Sequence, residues 1–304
     1  MTTVDGTAGI VDHLAVPYAR PEQLADRLEP VLDTALAAGD PVLAVLDGPE
    51  RDALRTRLGT AARRVEFAAP ADVHAVPAFT VAVRWARLAR GLASGRVLVV
   101  GQHLDLPGSP DAHWPRLDMA VDVAIAGLPI TVLCPCGESD PTLDTTHPLV
   151  LTATGRRTGA GYRAPLEAVV GYPPPPPPDL GPSAVDLPFG LDDLSAVRRR
   201  TAEAGAAAGL APDRVADFVL AVNELATNSV EHGAGAGRLR VWTAPGLLTV
   251  EVADHGRMDV PFPGLVPPSP TGQRGRGLWL ASELSDVLEV WSDPTGTVIR
   301  ARAW

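Results

Sequence analysis

Lysine is absent from this chain, and all 26 basic residues are arginine. That absence removes a Walker-type phosphate lysine, a Schiff-base lysine and a lysine general base in one step. Cysteine is nearly absent as well, with Cys134 and Cys136 the only two. So few thiols fit a reduced, cytoplasmic protein. Long apolar runs are also missing. The nearest, around residues 120–133, is interrupted by Asp122 and Pro129 and falls short of the roughly 18 residues of a membrane helix. The opening Met-Thr-Thr-Val-Asp-Gly has neither the charged nor the apolar region of a signal peptide. Positive charge is in deficit. The net charge of −10 divides evenly between residues 1–172 and 173–304, so neither half offers a basic footprint for nucleic acid.

What is present organises the chain into two parts. At 304 residues it is long enough for two domains with separate cores. Residues 173–178 are six consecutive prolines, which read as a stiff spacer of about 3.1 Å per residue. The expected division is a first domain at 1–172, a linker at 173–185 and a second domain at 186–304.

In the first domain, apolar runs at 13–18, 42–46, 65–67, 97–100 and 130–133 predict strands. Amphipathic patterns at 21–38, 50–58, 81–93 and 117–126 predict helices between them. Strands alternating with helices imply a doubly wound α/β domain. Leu46-Asp-Gly-Pro-Glu50 falls at a strand end, where such folds bind ligands. It has too few glycines and no Gly-Lys-Ser, so it reads as a nucleotide-free turn or an ordinary one. Cys134, Cys136 and His147 fall short of a structural zinc set, which takes four ligands with Cys-x-x-Cys spacing. Buried, inert thiols are the better reading. His13 and His147 either line a ligand pocket or sit as hydrogen-bonded core histidines. His103 and His113 lie in a Pro/Gly/Asp stretch and read as solvated.

The second domain carries more chemistry. Phe218, Val222, Leu225, Ala226 and Val230 recur at helical spacing, and Glu224 and Asn228, four apart, project from one side of that helix. A carboxylate there can accept a proton or orient a nucleophile, and an amide oxygen can ligate Mg²⁺. An alternating run delivers Asp254 to a turn containing Gly256. Gly275, Gly277 and Leu278 then open a helical pattern, where glycines let backbone N–H groups approach phosphate oxygens. A hairpin at 239–242 and 248–252, a pair at 288–291 and 297–302, and a helix at 191–209 predict a mixed sheet covered by helices, an α+β sandwich. Residues 257–274, with five prolines, form a loop long enough to act as a lid.

In that order these motifs resemble the GHKL ATPase superfamily, with its Bergerat-type fold, in the branch of anti-sigma factor serine/threonine kinases. The resemblance implies that Glu224 is the base and Asn228 the Mg²⁺ ligand. It implies that Asp254, with Gly256, takes the adenine, that Gly275, Gly277 and Leu278 contact phosphate, and that Thr297 lies near the base. It further implies ATP and Mg²⁺ as cofactors, a sigma factor and a serine-bearing anti-sigma factor antagonist as partners, and a possible homodimer. Relatives often carry a second glycine two positions after Gly256, where this chain has Met258. A sensor histidine kinase would share the nucleotide motifs, but residues 173–210 contain no histidine to accept phosphate. A non-catalytic ATP-binding module that sequesters a sigma factor is the third reading. The first domain resembles the MEDS sensory domain through His13-Leu-x-x-x-Tyr18, Gly39-Asp-Pro-Val, Leu133-Cys-Pro and Thr146-His-Pro, which implies sensing of a small ligand.

Overall fold

The computed structural model describes residues 11–104, 113–268 and 276–304. The chain divides into two compact units, Met1–Tyr172 and Pro173–Trp304.

The first unit alternates β1 (His13–Tyr18), α1 (Pro21–Ala38), β2 (Val42–Val45), α2 (Gly48–Leu58), β3 (Val65–Ala68), α3 (Pro70–His74), α4 (Ala78–Arg90), β4 (Val97–Gly101), α5 (His113–Ile125) and β5 (Ile130–Gly137). It closes with α6 (Leu143–Thr146), β6 (Leu149–Thr152), β7 (Gly155–Thr158) and α7 (Pro165–Ala168). Local chemistry sets the boundaries. Pro21 starts α1 where its missing N–H costs nothing, and Gly39 ends it in the left-handed region at φ +82°. Asp47 caps α2 by accepting the Gly48 N–H at 2.7 Å, so the Leu46-to-Glu50 stretch is an ordinary strand-to-helix turn.

The sheet order is β3-β2-β4-β5-β1-β6-β7, parallel throughout except for β7, which runs against β6. One face packs Leu14, Val16, Leu98 and Leu133 against Leu24, Leu28 and Leu32 of α1 and Leu54 of α2. α5 packs with α4 and meets the residues of β1 that point the other way. This is the doubly wound arrangement expected from the alternation. Two details differ from the sequence reading. β5 continues past Leu133 through Pro135, a residue usually excluded from inner strands. The β4 ladder has already ended at Leu133, so no neighbour on that side needs the missing N–H. β7 reads Gly-Arg-Arg-Thr and is exposed throughout, so it offers no apolar period to find.

The second unit contains β8 (Val185–Gly190), α8 (Leu194–Ala207), α9 (Pro212–His232), β9 (Ala236–Ala244), β10 (Leu247–Asp254), α10 (Arg276–Leu284), β11 (Val287–Asp293) and β12 (Gly296–Ala303). Its sheet order is β11-β12-β10-β9-β8. Every neighbouring pair is antiparallel, which corrects the expected mixed sheet. Tight turns join β9 to β10 and β11 to β12, and such turns can only reverse the chain. α8 and α9 cover one face, burying Phe218, Val222 and Leu225 with Leu239, Val241, Val250 and Ile299.

The proline-rich stretch lies along this sheet instead of standing free as a spacer. Trp291 Nε1 donates to Pro175 O at 2.6 Å, Arg300 to Pro178 O at 3.0 Å and Trp242 Nε1 to Gly181 O at 3.1 Å. A polyproline backbone has no internal hydrogen bonds, so its carbonyls are open to the indole and guanidinium donors of the sheet.

The side chain of His103 and the whole of His113, both expected in solvent, are largely buried. They surround Trp114, His103 stacked on it at 4.4 Å and His113 edge-on at 4.9 Å. His74 meets the same ring and Trp85, and neither of its nitrogens has a hydrogen-bond partner among the described residues. Burial, followed by the neighbouring charges of His103 and His113, pushes the His74 pKa from 6.5 down to about 3. The folded chain therefore resists the proton that the unfolded chain accepts. Stability should fall as pH drops below about 6.5, by up to roughly 1.4 kcal/mol per pH unit from this group, until about pH 3. Urea midpoints at pH 7 and pH 5 should converge partly in His74→Leu, and an acid sensitivity unchanged by that substitution would refute the assignment.

Candidate active site

Three elements of the second unit bring most of the marked residues together. α9 opens on Pro212 and presents Glu224 and Asn228 on one half-buried side, with Ser229 buried beside them. β10 ends at Asp254. α10 begins at Arg276, so Gly277 and Leu278 stand in its first turn. Arg214 of α9 fixes the other end of α10 by donating to Leu284 O at 2.5 Å and to Asp286 at 2.6 Å, which satisfies a terminal helix carbonyl with a cation.

Asp254 is held from two sides. Ser229 Oγ donates to its Oδ2 at 2.6 Å, and the Gly256 N–H donates to its Oδ1 at 2.7 Å. Thr297, directly opposite Asp254 in the β10–β12 ladder, donates to Gly256 O at 2.8 Å. Ser292 Oγ bonds Thr297 Oγ1 at 2.8 Å and accepts the Met258 N–H at the same distance. The Met258 backbone is thus anchored.

Glycines permit the close approach. A β-carbon at Gly256 would lie 2.6 Å from His232 O and 2.9 Å from Asp254 Oδ1. One at Gly233 would meet Asp254 Cγ and Ser229 O at 2.5 Å. One at Gly277 would meet Glu224 Oε2 at 2.8 Å and Asn228 Nδ2 at 3.1 Å. Gly277, in the first turn of α10, therefore lies directly over the Glu–Asn pair. Asn228 Nδ2 is buried and has no hydrogen-bond partner among the described residues, as expected of an amide that faces a ligand. Gly275 and the last third of the lid-like loop, residues 269–274, lie outside the described residues.

Sequence reasoning missed Ser229 and Ser292. Ser229 left a signal, a hydroxyl at a position of α9 that the helical period assigns to the core. Ser292 left none, because a lone serine near the end of an ordinary strand carries no pattern of its own.

Residues 187–303 match the histidine kinase-like ATPase domain family. A solved structure of the RsbU and RsbW domains of a Mycobacterium tuberculosis protein is similar at 21% identity, over 40% of this chain and 32% of that one, with a TM-score of 0.30. The match thus spans about a third of that chain's length. No curated protein matches the chain.

Two glycine substitutions should separate fold from site. Gly256→Ala drives a methyl into the backbone carbonyl of His232 and should cost about 1–3 kcal/mol of stability. Gly277→Ala meets only the movable ends of Glu224 and Asn228, so it should cost less than about 1 kcal/mol while displacing both side chains. Urea denaturation of both variants checks the contrast, and equal losses would contradict it.

Proposed function

We propose that residues 186–304 form an ATP- and Mg²⁺-dependent serine/threonine protein kinase that also binds a sigma factor and phosphorylates a serine on that factor's antagonist. The observation that carries this reading is the placement of Gly277 against Glu224 and Asn228, next to an Asp254 held in one orientation. The residues fit the cofactors. Gly277 lets the start of α10 approach Glu224 and Asn228 more closely than a residue with a side chain could. The buried, unpartnered Asn228 Nδ2 is an N–H donor suited to a phosphate oxygen, with the amide oxygen the atom suited to Mg²⁺. Asn228 would hold Mg²⁺, Asp254 with Gly256 and Thr297 would hold the adenine, and Gly275, Gly277 and Leu278 the phosphates. Mg²⁺, when bound, neutralises phosphate charge, and most of the catalysis of phosphoryl transfer lies in such positioning and neutralisation. Glu224 would orient the incoming serine hydroxyl and take its proton.

The match of residues 187–303 to the histidine kinase-like ATPase domain family supports nucleotide binding. The lack of any histidine in residues 173–210 favours a kinase acting on a separate protein over a sensor histidine kinase. The partners, the kinase specificity and a sensory role for the first unit follow from the sequence resemblance. A cytoplasmic site of action is part of the same reading, and among the described residues no helix is long and apolar enough to cross a membrane.

Asp254→Ala should weaken ATP binding while leaving GTP binding little changed. Titration with both nucleotides checks it, and equal ATP and GTP affinity in the natural protein would count against the role given to Asp254.

Glu224→Gln keeps size and helix propensity but removes proton acceptance, and should slow phosphorylation by about 10²–10⁴-fold. Mg·ATP binding and the grip on the sigma factor should survive. The assay combines the protein with ATP and serine-bearing antagonists encoded beside it. An unchanged rate in Glu224→Gln would sink the mechanism. No transfer by either form, with sigma-factor binding intact, would identify a sequestration module instead.

A further inference from the structure

The first unit contains a second constellation that the nucleotide chemistry does not use. His13 on β1, Asp118 on α5, Cys134 on β5 and His147 just before β6 each offer one ligand atom, and these atoms all lie within 4.8 Å of one another. All four residues are buried, none more than 2% exposed. Four separate stretches of the fold converge on one point. His13 and Cys134 share a sheet face, because the β1–β5 register sets Ala15 opposite Cys134. Asp118 and Asp122, one helical turn apart, both point from α5 toward it.

We infer that this constellation is a binding site for one divalent transition metal ion of the Zn²⁺ class, ligated by His13 Nε2, Asp118, Cys134 Sγ and His147 Nε2.

Three observations carry the inference. The first is spacing. Zinc bonds of about 2.0–2.3 Å place the ligand atoms of a tetrahedral site roughly 3.3–3.6 Å apart. Here His13 Nε2 lies 3.2 Å from Cys134 Sγ and 4.0 Å from Asp118 Oδ1, and His147 Nε2 lies 3.5 Å from the same oxygen.

The second is an unmet electrostatic demand. Asp118 Oδ1 and His147 Nε2 are both buried without a hydrogen-bond partner among the described residues. His147 Nδ1 is turned to Thr146 Oγ1 at 3.1 Å, and the Nδ1–H tautomer that donates there would put the lone pair on Nε2. Two lone pairs facing each other in a dry interior are costly unless a cation sits between them. His103 Nε2 stands 3.2 Å from the same Asp118 oxygen and serves it in part, whereas His147 Nε2 has no hydrogen-bond partner among the described residues.

The third is a complete outer layer of the kind that orients metal ligands. Asp122 Oδ1 pairs with His13 Nδ1 at 2.8 Å, the carboxylate–histidine arrangement that aims Nε2 at a metal. Tyr162 donates to the other Asp122 oxygen at 2.9 Å. Thr146 Oγ1 donates to Asp118 Oδ2 at 2.8 Å, leaving Oδ1 for the ion.

The donor set names the ion class. Imidazole, thiolate and carboxylate together suit zinc and its neighbours, whereas Mg²⁺ and Ca²⁺ take oxygen ligands. One thiolate and one carboxylate balance the charge of a dication, and binding replaces the thiol proton of Cys134 by the metal. Four protein ligands close the coordination, which marks a structural site. The ion would tie β1, α5, β5 and the approach to β6 together. Cys136, the residue that made the sequence look like a deficient Cys-x-Cys site, takes no part.

The test uses the full-length protein stripped with a chelator and titrated with Co²⁺, then Zn²⁺. Stoichiometric Co²⁺ binding with a thiolate charge-transfer band and strong tetrahedral visible absorption, displaced by Zn²⁺, is the expected result. Cys134→Ser should lose the charge-transfer band, Cys136→Ser should keep it, and Asp122→Asn should lower affinity about 10–100-fold. The thermal midpoint of the natural protein should rise with Zn²⁺. No stoichiometric Co²⁺ binding, or binding without a thiolate band in the natural protein, would overturn the assignment whether or not Cys134→Ser folds. A band that survives in Cys134→Ser would overturn it as well.

Discussion

The second unit depends on what is missing at Gly233, Gly256 and Gly277. Each stands where a β-carbon would come within about 3 Å of a neighbouring atom, closer than packed atoms tolerate. Because the positions are empty, the end of α9, the turn after β10 and the start of α10 close on one another. Asp254 then reaches Ser229 and the Gly256 N–H, and Gly277 reaches Glu224 and Asn228. Hydrogen bonds to a carboxylate at these short distances are the strong kind, and they convert a close approach of backbones into a fixed direction for one side chain.

The opposite face of the same sheet shows what an all-arginine composition permits. Glu251 is 2% exposed, yet it receives Arg300 on one oxygen at 2.6 Å and Arg240 on the other at 2.6 Å. Arg300 also donates to Pro178 O and lies over the rings of Trp242 and Trp291. A buried charge is costly unless paired; here each Glu251 oxygen faces a guanidinium, although Arg300 Nη1 and Arg240 Nε have no hydrogen-bond partner among the described residues. A guanidinium can serve carboxylate, carbonyl and two aromatic faces at once, where an ammonium presents a single point of charge. The proline stretch is thereby drawn onto the sheet, an outcome that composition alone did not suggest.

How far the sequence could be read follows from which contacts are local. The strand and helix alternation of the first unit was legible because each element carries its own period. Glu224, Asn228, Asp254, Gly256 and Gly277 were legible because the motif spacing lies within single elements. What escaped notice depends on partners far away in the chain. Asp118 looked like part of an amphipathic helix until His147, Thr146 and His103 arrived beside it. Asp122 read only as an interruption of an apolar run, although it pairs with His13 across 109 positions. The parallel or antiparallel sense of the second sheet, and the resting place of the prolines, are likewise set by pairings that no local pattern encodes.

The two aspartates that end up at the centres of their sites illustrate opposite uses of the same group. Asp254 has one protein donor on each oxygen, but an ionised carboxylate has about four lone-pair directions. It can therefore be rigid and still accept another N–H, which is what recognition of an amino group requires. Asp118 receives Thr146 on Oδ2, while its Oδ1 is faced by ring nitrogens of His103, His147 and His13 at 3.2–4.0 Å. In a buried position an oxygen served only in part is a standing cost, and the nearby His147 Nε2 has no hydrogen-bond partner among the described residues. A side chain that is satisfied holds its shape without a ligand, whereas a pair left unsatisfied in the interior is stable only with something between them. On the two proposals made above, that difference in hydrogen-bond completeness, more than residue type, would separate the recognition carboxylate from the metal-ligating one.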